Sequence, residues 1–455
     1  MPQSPLKILG AGSALNFYKE LRATNCCQIR QDSPHGKNYP PKLVMINSKR
    51  IMSCRSCQGS NLENAWELAN SPYGDLFKDS AEKALQVKIE TLSLGFCPDC
   101  KLLQLLEVTD IKMTYDDYLY RSNITNALNS YYEQTASRLI SEYNLIPGST
   151  IVDIGSNDGT FLVNFHEKGF LVIGVEPTLA NAEVAAHKGV HTLNMYFDRK
   201  SVELILESGS CPSLISINYT LANIPELHSF VGNIEKLMNE NTILSVITGY
   251  HPDQYAVNMF EYINHDHLTY LTVQSMGNLC DVLDLKIIDV IRSEHKGGSI
   301  QFVISKKTSP FKVQSSVYQL LQREIWLNCN STQFTKELAL RVQEISVKVG
   351  KILASSQYSD VFGIGASIST TYLCNQFHLN DRIKKLFDDD TNKIGRFAPA
   401  TGIFVDSLSK IPNDINAIAI ILAWQHSEKL LNRLREVGFP GKILIPLPVP
   451  RLINQ

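Results

Sequence analysis

Four of the ten cysteines could hold a metal ion. Cys54 and Cys57 form one C-x-x-C pair, and Cys97 and Cys100 form a second pair after 39 intervening residues. Two thiolates at this spacing can bind one ion from a tight turn, and four complete the tetrahedral shell that zinc prefers. Two redox-active pairs are the alternative. The spacing predicts one structural zinc ion, and the other, scattered cysteines indicate a reducing compartment rather than a disulfide framework.

A second candidate for chemistry is a glycine-containing loop after the apolar residues 151–154. The loop consists of Gly155, Ser156, Asn157, Asp158 and Gly159. Glu176 lies 21 positions after Gly155, at the end of a second apolar segment. In open α/β sheets such a unit binds an adenosine, because glycines let the backbone approach the ligand and the acid accepts hydrogen bonds from ribose hydroxyls. The carboxylate of Asp158 would repel a pyrophosphate but not a cationic ligand. The loop therefore favours S-adenosylmethionine (AdoMet) over NAD.

A third candidate is the polar segment Asn264, His265, Asp266 and His267. It follows the fourth predicted strand, so it should lie at the carboxyl edge of a sheet, where ligands bind. Histidine titrates near neutral pH and can remove a proton from a substrate. A metal site would need further ligands, because His265 and His267 share a side only in an extended backbone. The residues alone leave general base, metal ligand and solvated loop open.

Alternating apolar and helical patterns predict the elements that position these residues. Strands are expected at 151–154, 171–175, 214–217, 243–247, 287–291 and 301–304, which is typical of a doubly wound sheet. The last two strands flank a short turn at 295–298, which predicts an antiparallel hairpin. A second α/β pattern begins near residue 360 and continues through 403–405, 417–422 and 443–445. The predicted fold class is α/β with two Rossmann-like sheets.

Length and charge limit the classes of function. A chain of 455 residues is long enough for two or three domains, and its net charge of −2 suggests no nucleic-acid or anionic-membrane partner. No apolar run approaches the ~20 residues that span a bilayer. The N-terminus lacks the pattern of a signal peptide, so we expect a cytoplasmic protein. Residues 1–48 read as an irregular extension, in which a lone G-x-G at Gly10 and Gly12 is a weak signal.

In this order, the motifs resemble those of the bacterial sugar C-methyltransferases, AdoMet-dependent enzymes that methylate a carbon of nucleotide-linked keto-deoxysugars. The resemblance covers about residues 50 to 450. The resemblance rests first on the cysteine pairs with Gln104 and on the I-G-S-N-D-G loop with Glu176 and Pro177. The other matching segments are Tyr118 to Ser122, Asn218, Leu221 to Ile224, His295 to Ser299, Gly363 to Ala366, Lys393 to Pro399 and Ala423 with Trp424.

The resemblance implies an architecture and a set of binding residues. An extension (1–48) precedes a zinc-binding domain (49–115), an AdoMet-binding domain with a class I methyltransferase sheet (116–307) and a Rossmann-like substrate-binding domain (308–455). The 155–159 loop, Glu176, Pro177 and Asn218 would bind AdoMet. The residues implied for a nucleotide-linked keto-deoxysugar are Tyr120, Arg121, His295, Gly298, Ser299, Lys393, Arg396 and Trp424. We expect a monomer or small homo-oligomer.

The resemblance also implies a mechanism. The family pattern is close to Y-x-E-H, which places its base on His267, its glutamate on Asp266 and its tyrosine on Asn264. His267, oriented by Asp266, would remove a proton next to the substrate ketone, and Asn264 or His265 would stabilise the enolate oxygen.

Three positions, Asn264, Asn223 and Ser369, depart from residues common in the family. They leave two alternatives to this reaction. One is methylation of an oxygen or nitrogen on another small molecule. The other is a non-catalytic protein that binds AdoMet or a nucleotide-sugar.

Overall fold

The computed structural model describes residues 49–108, 126–207, 209, 211–354 and 358–454. All of them belong to one compact unit, Met45–Gln455. Tyr118 to Ser122, with the predicted substrate residues Tyr120 and Arg121, lie outside the described residues. Within those ranges, no helix is both long and apolar enough to cross a membrane.

The cysteine-containing segment is built from short strands. Its elements are β1 (Lys49–Arg50), β2 (Glu63–Glu67), β3 (Ser71–Pro72), α1 (Ala81–Leu85), β4 (Ile89–Glu90), β5 (Ser93–Phe96), β6 (Leu103–Leu105) and β7 (Glu107–Val108). Strands β2, β5 and β6 form an antiparallel sheet that is completed by Thr269–Tyr270, a strand from much later in the chain.

The central part alternates strands and helices before a final hairpin. Its elements are α2 (Asn126–Glu142), β8 (Thr150–Ile154), α3 (Thr160–His166), β9 (Leu171–Val175), α4 (Leu179–His187), β10 (His191–Leu193), α5 (Arg199–Glu207), β11 (Pro212–Asn218), α6 (Leu227–Leu237), β12 (Ile243–Gly249), α7 (His251–Ala256), β13 (Thr269–Tyr270), α8 (Val273–Val282), β14 (Leu285–Ser293) and β15 (Ser299–Lys306).

Seven of these strands form one sheet in the order β10-β9-β8-β11-β12-β15-β14. The first five are parallel, and β15 is antiparallel to both β12 and β14. Helices cover both faces of such a sheet, which is why β8 and β12 are mostly apolar and are buried along their whole length. The six predicted strands and the hairpin are confirmed, and β10 was not foreseen. The strand order reverses between β8 and β11, so a ligand crevice is expected beyond their carboxyl ends.

The C-terminal part forms a second sheet in the order β18-β17-β16-β19-β20-β21. Its elements are α9 (Ser315–Trp326), α10 (Thr332–Leu353), β16 (Val361–Ile364), α11 (Ile368–Gln376), β17 (Ile383–Asp388), β18 (Val405–Ser407), β19 (Ile418–Ile421), α12 (Ser427–Glu436), β20 (Lys442–Ile445) and β21 (Arg451–Ile453). Five strands are parallel and β21 is antiparallel. The predicted second Rossmann-like sheet is therefore confirmed.

One hydrophobic core joins the cysteine-containing segment to the C-terminal sheet. It contains Leu94 and Leu105 from the former, Ile420 from the latter, and Phe260 and Tyr270 from the segment between β12 and α8. Burial of an aromatic side chain such as Phe260 stabilises a fold by about 1.5–3 kcal/mol. The segment with the Asn264–His267 motif is thus held by packing against two other parts of the protein.

Candidate functional site

The four predicted metal ligands come together. Cys54 Sγ lies 3.3 Å from Cys100 Sγ, Cys57 Sγ lies 3.6 Å from Cys97 Sγ, and all four sulfurs lie within 4.8 Å of one another. A tetrahedron with Zn–S bonds of ~2.3 Å has sulfur–sulfur edges of about 3.8 Å, so the residues fit a zinc ion. The hydrogen bond from Cys54, with smaller ones from the other two thiols, lowers the pKa of Cys100 to about 5, which favours a thiolate among these donors.

Two turns of the same form present these cysteines. The residue after each pair, Gln58 and Lys101, has a positive φ of 62° and 64°, which turns the chain back on itself. The buried amide of Gln104 then ties the two turns together, since it accepts a hydrogen bond from Arg55 N at 2.8 Å and donates to Ser53 O. The role of Gln104 is therefore to hold the metal site together.

The glycine loop packs against the ends of the first two parallel strands. Gly155 and Gly159 have φ of +73° and +75°, and Gly155 N donates to Val175 O at 2.8 Å. Glu176 Oε2 accepts from Asn157 N at 3.0 Å and Oε1 accepts from Thr178 N at 2.9 Å. Each carboxylate oxygen can accept a further bond, so Glu176 keeps the capacity to bind a ribose.

The structure changes the interpretation of Asp158. Its side chain is 0% exposed, contacts Lys188 Nζ at 3.1 Å and accepts a hydrogen bond from Thr160 Oγ1 at 2.7 Å. The carboxylate is turned into the fold and engaged by these two groups, and its predicted contact with a cofactor stays a prediction. The charge argument that favoured AdoMet over NAD loses force, because Lys188 pairs with this carboxylate.

Two orphaned polar atoms support a ligand at the crevice. Ser156 Oγ and Asn218 Oδ1 are buried without a hydrogen-bond partner in the described protein. Asp153 accepts from Ser216 Oγ at 2.6 Å and from Asn218 Nδ2 at 3.1 Å, so Asn218 is held with its oxygen unsatisfied. Burial raises the pKa of Asp153 to about 7. These groups beyond the ends of β8 and β11 fit a polar ligand such as AdoMet.

His267 lies on the segment after β12 with one ring nitrogen engaged. Its Nδ1 lies 2.8 Å from Tyr262 O, and its ring stacks on the Tyr262 ring with centroids 4.1 Å apart. A carbonyl oxygen can only accept, so Nδ1 carries the proton and the lone pair is on Nε2. Burial lowers the pKa of His267 to about 4, a shift that the Tyr262 bond opposes and the charge of Lys296 increases. The imidazole is therefore neutral at pH 7.

Asp266 and Asn264, the neighbours predicted to orient His267 or to stabilise an enolate, make hydrogen bonds within the same turn. The contact that fixes Nδ1 comes from Tyr262, and Asp266 instead donates through its backbone to Asn264 Oδ1 at 3.0 Å. Asn264 Oδ1 also accepts from His267 N, and its amide nitrogen donates to Tyr262 O. The side-chain oxygen and nitrogen of the buried Asn264 thus form hydrogen bonds that shape the turn.

His265 points into the core. Its Nδ1 lies 2.8 Å from Tyr372 Oη and its Nε2 lies 3.3 Å from Thr91 O. Both ring nitrogens are engaged, and burial lowers the pKa of His265 to about 4. His265 therefore links the cysteine-containing segment to the C-terminal part, and its role at an enolate stays a prediction.

Gly249, which the sequence analysis missed, and Lys296, to which it gave no role, lie at the same end of the central sheet. A Cβ atom on Gly249 would lie 2.4 Å from Cε1, Cζ and Oη of Tyr262, so only glycine lets this ring lie on the end of β12. Lys296 Nζ lies 3.9 Å from the centroid of the Tyr219 ring, beyond the end of β11. A glycine that closes an apolar strand signals close approach and could have drawn attention to Gly249.

The residues predicted from the hairpin mostly build its turn. Ser299 Oγ donates to His295 O at 2.8 Å and lies 3.0 Å from Tyr219 Oη. Gly298 has a φ of 131°, and a Cβ there would meet Asp253. His295 is half-buried against the Tyr131 ring, with centroids 4.1 Å apart, and burial lowers its pKa.

The three residues predicted from the C-terminal part make contacts between parts of the protein. Lys393 pairs with Asp75, and Arg396 donates to Phe77 O at 3.4 Å. Trp424 Nε1 donates to Glu261 Oε1 at 2.5 Å. Their polar groups meet protein atoms in this conformation, and their part in substrate binding stays a prediction.

Three family models match the chain in order. They are described as a zinc binding domain (residues 54–115), a methyltransferase domain (128–290) and a C-methyltransferase C-terminal domain (294–448). A curated relative, the C-methyltransferase NovU of Streptomyces niveus, is 23% identical over 411 residues, which cover 89% of this chain and 97% of the relative.

Solved structures of methyltransferases also align with part of the chain. Magnesium protoporphyrin IX methyltransferase from Synechocystis with bound SAM is 12% identical, with a TM-score of 0.30 over 39% of this chain and 79% of that one. An S-adenosylmethionine-dependent methyltransferase from Clostridium acetobutylicum is 11% identical, with a TM-score of 0.32 over 42% of this chain and 95% of that one.

The family models and the four-cysteine cluster agree on two cofactors, AdoMet and a zinc ion with four cysteine ligands that leave no position for water. The seven-stranded sheet has the topology that the methyltransferase match requires. The chain therefore carries, in order, a zinc-binding domain, a methyltransferase domain and a C-methyltransferase C-terminal domain, and it is a class I AdoMet-dependent C-methyltransferase.

Proposed function

We propose that the enzyme methylates a carbon next to the ketone of a nucleotide-linked deoxysugar, and that His267 makes this carbon nucleophilic by removing its proton. The state of His267 carries the proposal. Its imidazole is neutral, the Tyr262 carbonyl holds its tautomer, and it lies on the segment that follows the end of β12. The resemblance of the motifs to the sugar C-methyltransferases supports the class of acceptor.

Methylation of carbon needs a base, because a C–H bond offers no lone pair. When bound, AdoMet would supply an electrophilic methyl group, whose bond to sulfur would break as the electron pair passes to the sulfur of the leaving S-adenosylhomocysteine. His267 Nε2 would take the proton from the α-carbon, and the electrons of the C–H bond would move toward the ketone oxygen as an enolate. The imidazolium that forms keeps its Nδ1–H bond to Tyr262 O, a bond that strengthens when the donor is charged. The α-carbon then holds the electron pair that accepts the methyl group.

The low pKa of His267 keeps the ring unprotonated, although it also makes the imidazole a weaker base than an ordinary histidine. The folded protein keeps the ring unprotonated at neutral pH, so all of the enzyme is in the active form. We expect the acid limb of the reaction to lie near pH 4 rather than near 6.5, the usual value for histidine.

Exchange of the α-proton tests this proposal. The purified enzyme is incubated in deuterated water with methyl-labelled AdoMet and a panel of nucleotide-linked 4-keto-deoxysugars, and mass spectrometry follows deuterium and methyl gain. We expect His267→Gln to lower both rates by about 10²–10⁴-fold. His187→Gln changes an exposed histidine on α4 and should leave both rates unchanged.

Two results would contradict the proposal. Deuterium exchange at the wild-type rate in His267→Gln would remove His267 from the role of base. Methyl transfer without exchange, and insensitive to His267→Gln, would indicate an oxygen or nitrogen acceptor.

A further inference from the structure

The second sheet presents its ligand-binding edge to the segment that carries His267. Strand order in this sheet reverses between β16 and β19, so a crevice is expected beyond the carboxyl ends of these two strands. The loops that follow them pack against each other, since a Cβ atom on Gly365 would lie 2.6 Å from Ala423 Cβ. The two residues after Ala423 contact residues 260–267, which we call the base segment.

Glu261 of the base segment brings a buried carboxylate to this edge. It is 1% exposed. Its Oε1 accepts a hydrogen bond from Trp424 Nε1 at 2.5 Å and another from Gln425 Nε2 at 2.7 Å. Its Oε2 is buried without a hydrogen-bond partner in the part of the chain that the structure describes. Burial of a carboxylate with one unsatisfied oxygen costs free energy, so stability alone does not account for an acid at this position.

The hydrogen bonds of Glu261 fix the residue next to Tyr262, which holds the base. Glu261 and Tyr262 are neighbours in the 3₁₀ turn Phe260–Tyr262. The carbonyl oxygen of Tyr262 accepts from His267 Nδ1 at 2.8 Å, and the two rings stack with centroids 4.1 Å apart. A displacement of Glu261 would therefore move both groups that orient the imidazole.

A second contact from the C-terminal part holds the base segment on the other side of Tyr262. Tyr372 Oη, on α11, accepts from His265 N at 3.2 Å and lies 2.8 Å from His265 Nδ1. His265 Nε2 lies 3.3 Å from Thr91 O, which can only accept, so Nε2 carries the proton and the Tyr372 hydroxyl donates to Nδ1. The base segment is thus gripped at residues 261 and 265, on both sides of Tyr262.

We propose that Glu261 is a positioning residue for the base, through which Trp424 and Gln425 hold His267 in the geometry needed to remove the α-proton. This inference rests on the proposed function and names the contact that sets its geometry. His265 acts in the same way through Tyr372. The ligand-binding edge of the second sheet would then serve the reaction at the first sheet.

Two substitutions of Glu261 test the inference in the deuterium-exchange assay. Glu261→Leu removes the acceptor of both hydrogen bonds and should lower kcat for exchange by about 100-fold, because a misplacement of about 1 Å in a reacting group can cost that much. Glu261→Gln keeps an amide oxygen that can accept both bonds, so its kcat should stay within about threefold of the wild type. Tyr372→Phe removes the second contact without touching Glu261 and should lower kcat about tenfold.

Thr371→Val is the matched control. Thr371 precedes Tyr372 on α11, and its Oγ1 donates to Gly74 O at 2.8 Å. This buried hydrogen bond also joins the C-terminal part to the rest of the protein, but it does not involve the base segment. Thr371→Val should lower the midpoint of urea unfolding and leave kcat within about twofold of the wild type.

Two readouts separate positioning from a general loss of structure. The KM for the ketone and the AdoMet affinity of Glu261→Leu should stay within about threefold of the wild type, because the loss falls on the chemical step. Nitrogen NMR of the histidine rings, assigned with His267→Gln, needs no substrate. In the wild type His267 carries its proton on Nδ1, and Glu261→Leu should give a mixture of tautomers, whereas Glu261→Gln and Thr371→Val should keep the wild-type signal.

The outcomes are distinct. Wild-type exchange by folded Glu261→Leu would overturn the inference, and so would an equal loss of kcat in Thr371→Val. A loss in Glu261→Gln as large as that in Glu261→Leu would also overturn it, because the charge and not the hydrogen bonds would then matter. A wild-type enzyme that exchanges no ketone of the panel would overturn the proposed function, while the tautomer of His267 would still show whether Glu261 positions the imidazole.

Discussion

Replacing Gly249 with alanine should displace the candidate base without touching it. The new Cβ would lie 2.4 Å from three atoms of the Tyr262 ring, where ordinary contact begins near 3.4 Å. The ring must therefore retreat by about 1 Å, and it stacks on His267 at a centroid distance of only 4.1 Å. The imidazole has to move by a similar distance.

The expected loss of rate is larger than the expected loss of stability. A misplacement of about 1 Å in a reacting group can cost about 100-fold in rate, or roughly 2.7 kcal/mol. Overpacking costs about 1–3 kcal/mol, and removal of a strand glycine returns about 0.5–1 kcal/mol. With a typical unfolding free energy of about 5–15 kcal/mol, the variant stays folded.

Deuterium exchange and urea unfolding measure the two effects separately. Gly232→Ala is the matched control, because the nearest atom to its Cβ would be Leu283 Cδ2 at an ordinary 3.8 Å, and α6 should gain stability. Tyr262→Phe in the Gly249→Ala background removes one of the three clashing atoms and should restore part of the rate. If Gly249→Ala keeps kcat within twofold, the Tyr262 stack does not position His267 and the reasoning fails.

Three further predictions concern the metal and two buried carboxylates. Cys54→Ser should reduce the zinc content from one ion per chain to none and lower the thermal midpoint. Metal analysis and calorimetry measure the two effects. A metal-free wild-type protein with an unchanged thermal midpoint would contradict this prediction. Burial raises the pKa of Glu261 to about 7. The folded chain therefore binds a proton that the unfolded chain releases, and stability falls by about 3 kcal/mol as pH rises from about 4.5 to 7; Glu261→Gln should remove this contribution from urea titrations across that range. Lys188→Met leaves the Asp158 carboxylate buried without its cation and should cost about 2 kcal/mol in urea unfolding, whereas an unchanged midpoint would show that the pair contributes nothing.

Local patterns were enough to predict both sheets and the zinc site. A strand such as β12 is an apolar run whatever surrounds it, and the two C-x-x-C turns carry their geometry in four residues each. The pairing of β6 with β13 could not be foreseen in this way. It joins Gln104 to Thr269, far apart in sequence, and both strands are short.

The roles within the Asn264–His267 segment depended on distant contacts. His265 and His267 are chemically the same, and the sequence gives no reason to bury one and leave the other able to accept a proton. The choice is made by Tyr372 and Thr91, which bind His265, and by Tyr262, which holds His267. The pairing of Asp158 could not be foreseen for the same reason, since its partner Lys188 comes from the next helical segment.

The segment that carries His267 has consequences for the order in which a new chain becomes active. The glycine loop and Glu176 are assembled from neighbouring residues, so a methyl-donor site can form once the first parallel strands have paired. Leu268, next to the proposed base, accepts a hydrogen bond from Leu105, and Glu261 accepts one from Trp424, 163 residues later. Contacts of such separation form late in folding. A chain emerging from the ribosome would thus be able to bind AdoMet well before it can deprotonate a substrate. Catalytic activity would appear only after the C-terminal part has packed against the rest of the protein.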